Sequence, residues 1–141
     1  MDGHGLSDLI NKKSGVAGLV GGSSDMRDLE NAVAAGDERA IMTLDVYNYR
    51  IKKYIGAYAA AMGGCDILVW TGGVGENQWA TRRVVCENME YMGMKIDVEK
   101  NEGMRGEEMV ISTPDSKVTI IVVPTDEEYM IAADTMDILG K

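Results

Sequence analysis

One stretch of sequence decides the expected fold of this chain: Ile67-Leu68-Val69-Trp70-Thr71-Gly72-Gly73-Val74-Gly75-Glu76-Asn77. It begins with an apolar run of β-formers and continues into a turn with three glycines, and a helical pattern opens directly after it. A junction of this kind gathers backbone amides at a helix N-terminus, where a phosphate or a nucleotide can bind. Glycine suits such a turn because it adopts backbone angles closed to other residues and lets a ligand approach the main chain.

The glycine turn by itself leaves two interpretations open. It is either a ligand site or a plain strand-to-helix turn, which many α/β proteins build on Gly-Gly without any ligand. Two well-known phosphate motifs are excluded. Gln78 stands where the dinucleotide fingerprint has its third glycine, and no Gly-Lys-Ser/Thr follows as it would in a P-loop.

Length and composition indicate a soluble globular protein. The 141 residues are enough to bury a core but few for a two-domain enzyme, so we expect a single domain over residues 1–141. A hydrophobic content of 45% with 26% charged residues is typical of folded proteins, which argues against disorder.

Charge and cysteine content narrow the class of partner and the compartment. The net charge of −9 argues against nucleic acid or an anionic membrane as a partner, since phosphate contacts need clustered Lys and Arg. The basic pairs Lys52-Lys53 and Arg82-Arg83 are expected on solvated helix faces. Cys65 and Cys86 have no metal-ligand spacing, and nothing resembles a signal peptide or a membrane span. We therefore expect buried free thiols in a cytoplasmic protein.

The first half of the chain is predicted to be helical. We expect a loose end over residues 1–6, with a solvated His4, and a short helix over residues 7–13 with Ser7 as its N-cap. A glycine-rich loop over residues 15–24 precedes a helix that runs to about residue 35. The longest helical pattern covers residues 38–62, and its apolar stripe is predicted to be core: Ile41, Leu44, Tyr47, Ile51, Ile55, Tyr58 and Met62.

The second half is predicted to mix strands and helices. Strands are expected over residues 67–70, 93–97, 109–112 and 118–123, with an exposed loop over residues 98–107. One helix is expected over residues 78–92 and another over residues 127–139, the latter capped by Asp126. The helix over residues 78–92 should face inward through Val84, Val85, Met89 and Met92. This order predicts an α/β fold with a mixed sheet covered by helices.

Five blocks resemble, in the same order and at similar spacing, the C-terminal part of the acetate kinase family. They are Ser23-Ser24-Asp25-Met26-Arg27-Asp28, Ile51-Lys52-Lys53-Tyr54-Ile55-Gly56-Ala57-Tyr58, Thr71-Gly72-Gly73-Val74-Gly75-Glu76-Asn77, Arg105-Gly106-Glu107-Glu108 with Ile111-Ser112-Thr113-Pro114, and Pro124-Thr125-Asp126-Glu127-Glu128. The resemblance covers about residues 9–135. It implies an actin-like, sugar-kinase and Hsp70 ATPase (ribonuclease H-like) domain, and it makes this chain the nucleotide half of an active site.

The resemblance also implies roles for particular residues. Asp25, Met26 and Arg27 would border the adenosine of ATP or ADP. The turn would contact the other side of the adenosine through Gly73, Val74, Gly75, Glu76 and Asn77. The guanidinium of Arg27 is a planar cation that can stack on adenine or bind phosphate, with a salt bridge to a neighbouring carboxylate as the alternative. Glu127 matches the family's magnesium-associated glutamate, a suitable Mg²⁺ ligand, although by position alone it is an ordinary acid at a helix start.

The family's acceptor-side groups have no match in this chain. Phosphoryl transfer to a carboxylate needs cations on the acceptor side, which the family supplies mostly from its N-terminal domain. Its Asn-x-Gly-Ser-Ser-Ser hairpin and its catalytic aspartate motif are not found here, and His4 is the sole histidine. We therefore expect a C-terminal portion without the N-terminal catalytic domain, with no catalytic residue of its own, inactive alone on acetate or acetyl phosphate.

Several alternatives stay open. Propionate kinase shares these motifs, whereas butyrate kinase usually departs from the glycine turn, and a non-catalytic nucleotide-binding or dimerisation module is the alternative from another class. The resemblance implies a homodimer. The chain departs from the family pattern at four positions: Gly22 for Val, Trp70 for Phe, Asp126 for Asn and Ala133 for Arg.

Overall fold

The computed structural model describes residues 2–140 of the chain. They form two compact units, the first ending at Met62 and the second beginning at Gly63. Whether the two units make one domain, as expected from the length, stays a prediction.

The first unit is built of four helices, α1 (Gly3–Lys12), α2 (Gly15–Val20), α3 (Met26–Ala34) and α4 (Glu38–Met62). Both α2 and α3 pack against α4. The structure confirms the predicted bounds of α4 and the helix after residue 24.

The N-terminal predictions were wrong in two places. Helix α1 begins at Gly3 because Asp2 accepts a hydrogen bond from the Gly5 amide at 2.8 Å, so the aspartate, not Ser7, caps it. Of the predicted loose end, Met1 lies outside the described residues, and His4 is exposed within α1. The predicted loop after Gly15 contains α2, whose contact with α4 outweighs the low helix propensity of glycine.

The predicted apolar core stripe of α4 was right only in part: Leu44, Tyr47, Ile51 and Ile55 are half-buried, and none of the seven is fully buried. Tyr58 is 62% exposed and Met62 is 69% exposed. The buried positions of this helix carry smaller side chains: Ala40, Thr43, Asn48 and Ala59. Helices α2 and α3 both pack against α4, and small side chains permit the close approach that buries them.

The second unit contains the mixed sheet that the sequence predicted. Its strands are β1 (Ile67–Trp70), β2 (Met109–Val110) and β3 (Thr119–Val122), in the order β1-β3-β2. Strands β1 and β3 are parallel, with Trp70 opposite Val122, and β2 runs antiparallel to β3. The strand predicted over residues 93–97 was wrong: Met94 and Ile96 form isolated bridges there.

The glycine turn is itself helical, as α5 (Gly72–Asn77), and α6 (Trp79–Cys86) follows it. The single helix predicted over residues 78–92 was wrong, because Asn88 adopts a left-handed φ of 58° and separates α6 from a 3₁₀ turn, Glu90–Met92. The predicted exposed loop over residues 98–107 was wrong too. It contains α7 (Val98–Asn101) and the buried Met104.

The last helix, α8 (Glu127–Ile138), starts where it was predicted. The core of the unit is apolar: Val85, Cys86, Met89, Met94, Ile111, Val118, Ile120 and Val122. Neither Cys65 nor Cys86 forms a disulfide; Cys86 is buried and Cys65 is half-buried. Across residues 2–140, no helix combines the length and the apolar character that a membrane span needs.

Candidate functional site

The three glycines of the turn differ in what their surroundings require. Gly72 has a φ of 68°, in the left-handed region that favours glycine. At Gly75 a Cβ would lie 3.0 Å from the backbone carbon of Trp70, closer than ordinary packing permits. Gly73 is exposed, has neither constraint, and a Cβ there would meet nothing within 4 Å. The fold therefore explains Gly72 and Gly75, whereas Gly73 leaves open space above the backbone.

The carbonyl end of α5 is held by Arg82, which is fully buried. Its Nη1 donates to the carbonyls of Gly75 at 2.7 Å and Glu76 at 3.0 Å, and its Nη2 donates to the Met104 carbonyl at 2.7 Å. Its Nε donates to Asn101 Oδ1 at 2.8 Å. A buried charge is costly unless it is hydrogen-bonded, and here neutral acceptors on three segments satisfy the guanidinium.

The prediction of a solvated face was therefore wrong for Arg82, although Arg83 is exposed as expected. Burial, with the nearby charge of Arg105, lowers the pKa of the Arg82 guanidinium. Helical periodicity separates the two arginines, because Arg82 lies three positions before Val85 and seven before Met89, on the face predicted to point inward. Two of the residues that accept from Arg82, Asn101 and Met104, lie 19 and 22 residues further along the chain.

Two further side chains of the turn make hydrogen bonds within the second unit. Asn77 Nδ2 donates to the Gly73 carbonyl at 3.0 Å. Glu76 Oε1 accepts from the Thr125 amide at 2.8 Å and from Thr125 Oγ1 at 3.0 Å. These hydrogen bonds lower the pKa of the Glu76 carboxyl. They connect the glycine turn to the segment that carries Glu127.

Glu127 is the first residue of α8 and is exposed. It lines an open groove of about 470 Å³, together with the other lining residues: Thr125, Asp126, Met130, Ile131 and Asp134. Asp126 Oδ1 accepts from the Tyr129 amide at 2.9 Å, so this departure from the family's Asn serves as the N-cap of α8.

The donor set of this groove suits Mg²⁺ that arrives with a nucleotide. Within residues 2–140, no group of three or more His, Cys, Asp or Glu side chains is arranged to hold a metal ion. Mg²⁺ keeps several waters and usually takes one or two protein carboxylates together with substrate phosphates. The Glu127 carboxylate, on the open groove, fits that pattern, whereas an all-protein metal cage does not.

The segment with Asp25, Met26 and Arg27 forms the start of α3 in the first unit. Asp25 is the N-cap and accepts from the Arg27 amide at 2.9 Å. Arg27 Nη2 also pairs with Asp25 Oδ2 at 2.7 Å, and this side-chain contact with Arg27 lowers the pKa of Asp25 to about 2. The salt bridge considered for Arg27 is therefore formed, yet the Arg27 side chain is 85% exposed.

The predicted nucleotide residues are divided between the two units. Asp25, Met26 and Arg27 belong to the first unit, and the glycine turn and Glu127 belong to the second. The structure joins the turn to the Glu127 segment through Glu76. A shared nucleotide site with Arg27 stays a prediction.

By fold, the chain is an α/β protein with a small mixed sheet and a glycine turn at the end of its first strand. A model of the Acetokinase family matches residues 1–133, and the chain therefore belongs to that family. The resemblance drawn from the five sequence blocks is confirmed.

Relatives of known name agree with this assignment. An acetate kinase of Parabacteroides distasonis is 89% identical over 141 residues, which are 100% of this chain and 35% of that protein. The crystal structure of Porphyromonas gingivalis acetate kinase superposes with a TM-score of 0.90 at 65% identity, covering 99% of this chain and 35% of that one. A propionate kinase from Francisella tularensis gives a TM-score of 0.80 at 32% identity, over 94% and 33%.

These neighbours confirm the predicted actin-like ATPase fold class. The chain spans about 35% of the length of the curated relatives it matches.

Proposed function

We propose that this chain is the ATP- and ADP-binding portion of an acetate kinase. The whole enzyme would transfer a phosphoryl group between ATP and acetate with Mg²⁺, in the reaction ATP + acetate = ADP + acetyl phosphate. The observation that carries the proposal is Gly73, which follows the carboxyl end of the parallel strand β1 and is exposed, unconstrained in φ and free of close neighbours. The fold does not require glycine at this position, but the absence of a side chain lets a ligand approach the backbone closely.

In the proposed mechanism this chain binds and orients the nucleotide. Gly73, Val74, Gly75 and Asn77 present the backbone of the turn, and Asp25, Met26 and Arg27 contact the adenosine. Glu127 holds the ion directly or through water; bound Mg²⁺ would neutralise charge on the transferring phosphates. The groups that bind acetate and stabilise the transferring phosphoryl group come from sequence that has no match here. We therefore propose that the 141-residue chain alone produces neither acetyl phosphate nor ATP.

Propionate is the second candidate acceptor, favoured by the likeness to the Francisella tularensis propionate kinase. Acetate ranks first because the Parabacteroides distasonis relative at 89% identity is an acetate kinase. We further propose a homodimer, on the basis of the family resemblance, and a cytoplasmic location, which two cysteines without a disulfide support. Light scattering of the purified chain tests the dimer.

Calorimetric titration of ADP with Mg²⁺ into the chain tests the nucleotide proposal. Gly73→Val should weaken ADP binding about tenfold or more, since a branched side chain would occupy the open space above the backbone. Gly3→Val is a matched control, because a Cβ at Gly3 also meets nothing within 4 Å. No binding at millimolar ADP would favour a structural or dimerisation module. Unchanged binding by a folded Gly73→Val variant would contradict the proposed site.

A further inference from the structure

The carboxylate of Glu76 joins two segments that lie far apart in sequence. Thr125 is 49 residues away, and both its amide and its hydroxyl donate to the same carboxylate oxygen, at 2.8 Å and 3.0 Å. Glu76 therefore links the glycine turn to the residue that precedes Asp126.

The sheet explains why these segments meet. Strands β1 and β3 are parallel neighbours, and the Val123 amide donates to the Trp70 carbonyl at 2.9 Å, directly after the last paired residues. The glycine turn and the segment leading to Glu127 thus leave the sheet side by side. Ligands of open α/β sheets bind at this carboxyl edge of parallel strands.

The chemistry of Glu76 does not suit a phosphate ligand. Its carboxylate is an anion, which repels the phosphates of a nucleotide at close range. It is also already occupied as an acceptor for Thr125. Within the group of turn residues predicted to bind nucleotide, Glu76 is distinguished by this long-range contact.

We propose that Glu76 is a positioning residue that fixes the Glu127 segment against the glycine turn, so that Mg²⁺ and nucleotide strengthen each other's binding. The proposal rests on the proposed nucleotide function and deepens it. Fixing Thr125 fixes the start of α8, because Asp126 is its N-cap and Glu127 its first residue. Mg²⁺ and the nucleotide would bind adjacent segments that hold each other in place, so each ligand would raise the affinity for the other by the same factor.

The test uses the 141-residue chain and measures ADP affinity with and without Mg²⁺ by calorimetry. Glu76→Ala should reduce the Mg²⁺-dependent gain in ADP affinity about threefold or more, a larger change than any it causes in ADP affinity without Mg²⁺. Thr125→Val, which removes one donor to Glu76, should reduce the gain less. Glu76→Gln keeps an acceptor for the Thr125 amide and should restore part of it. Glu128→Gln, at the exposed neighbouring acid, is the control and should change neither quantity.

Amide hydrogen exchange gives a readout of the link itself. Glu76→Ala should speed exchange at the Thr125 amide, whereas Glu128→Gln should leave it unchanged. If Glu76→Ala weakened ADP binding about tenfold in the absence of Mg²⁺, Glu76 would contact the nucleotide directly, and the positioning role would be overturned. ADP binding that is insensitive to Mg²⁺ in the unaltered chain, or a gain that Glu76→Ala leaves intact, would also overturn it. Absence of any ADP binding by the unaltered chain would overturn the proposed function as well.

Discussion

The glycine turn and the Asp25–Arg27 segment are held in place by different means. The turn is fixed by hydrogen bonds within the second unit: the buried Arg82 donates to its carbonyls, and Thr125 donates to the carboxylate of Glu76. The second segment is fixed locally, by an N-cap and an exposed ion pair between residues two positions apart. A phosphate-binding backbone gains from such rigidity because its amides must keep one geometry.

This difference indicates which substitutions should change folding stability and which should change ligand binding. Substitutions in the supports of the turn should destabilise the chain, because they leave buried acceptors without donors. Substitutions in the exposed pair should change ligand binding with little effect on folding, because exposed ion pairs contribute little to stability. The predictions that follow run from the largest expected effect to the smallest.

Replacing Arg82 should have the largest effect. Arg82→Ala would leave the carbonyls of Gly75, Glu76 and Met104 without this donor and would open a cavity, so we expect a loss of about 3 kcal/mol or more in the free energy of unfolding. Urea-induced unfolding measures it. The control Arg83→Ala, at the exposed neighbour, should stay within about 0.5 kcal/mol of the unaltered chain. Equal losses of stability in Arg82→Ala and Arg83→Ala would show that the buried hydrogen bonds of Arg82 do not stabilise the turn.

Gly75→Ala should have the next largest effect. The added Cβ would lie 3.0 Å from the Trp70 backbone carbon and 3.3 Å from its Cα, so the backbone must shift. We expect a destabilisation of about 1–3 kcal/mol, measured by thermal unfolding. Gly73→Ala has open space around it and should be neutral or stabilising by about 0.5–1 kcal/mol. A destabilised Gly73→Ala variant would show that the open surface of the turn has a structural purpose.

Arg27→Ala should weaken ADP binding about threefold to thirtyfold, the range for loss of a cation that stacks on an aromatic ring or binds phosphate. The free energy of unfolding should change by less than about 0.5 kcal/mol, because the pair with Asp25 is exposed. Calorimetric titration and urea unfolding of the same variant separate the two effects. Unchanged ADP affinity would make Arg27 only the partner of Asp25.

The smallest effect is on the titration of Asp25. Its folded-state pKa is lowered from 3.8 to about 2 by Arg27, so the contribution to stability is present above pH 3.8 and is lost as the pH falls toward 2. In Arg27→Ala the pKa should rise only part of the way to 3.8, because the amide of residue 27 still donates to Asp25. Carboxyl-carbon NMR shifts of Asp25 measure it. A pKa that stays near 2 would assign the shift to the helix start instead of the ion pair.

Much of the fold followed from local patterns in the sequence. The bounds of α4 and β1, the mixed sheet and the start of α8 depend on periodicity, glycines and capping residues that lie close together. The motif blocks also supplied the whole set of candidate nucleotide residues, through the family resemblance confirmed by the match over residues 1–133.

The errors came from contacts that local patterns do not encode. The face of α4 that is buried depends on where α2 and α3 lie, so its small residues are fully buried and the apolar stripe is not. The break after Cys86 depends on one left-handed asparagine. Arg82 shares a predicted helix face with Val85 and Met89, but two of the residues that satisfy its buried charge, Asn101 and Met104, lie far along the chain.

The central claim is that adenine nucleotide binds at the glycine turn. The most direct measurement is a titration of ADP with Mg²⁺ into the isotope-labelled chain, followed by backbone amide shifts in NMR spectra. The account predicts saturable changes at the amides of Gly73, Val74 and Asn77, with further changes at Arg27 and Glu127. Saturable changes confined to other parts of the chain, or no change at millimolar ADP, would contradict it.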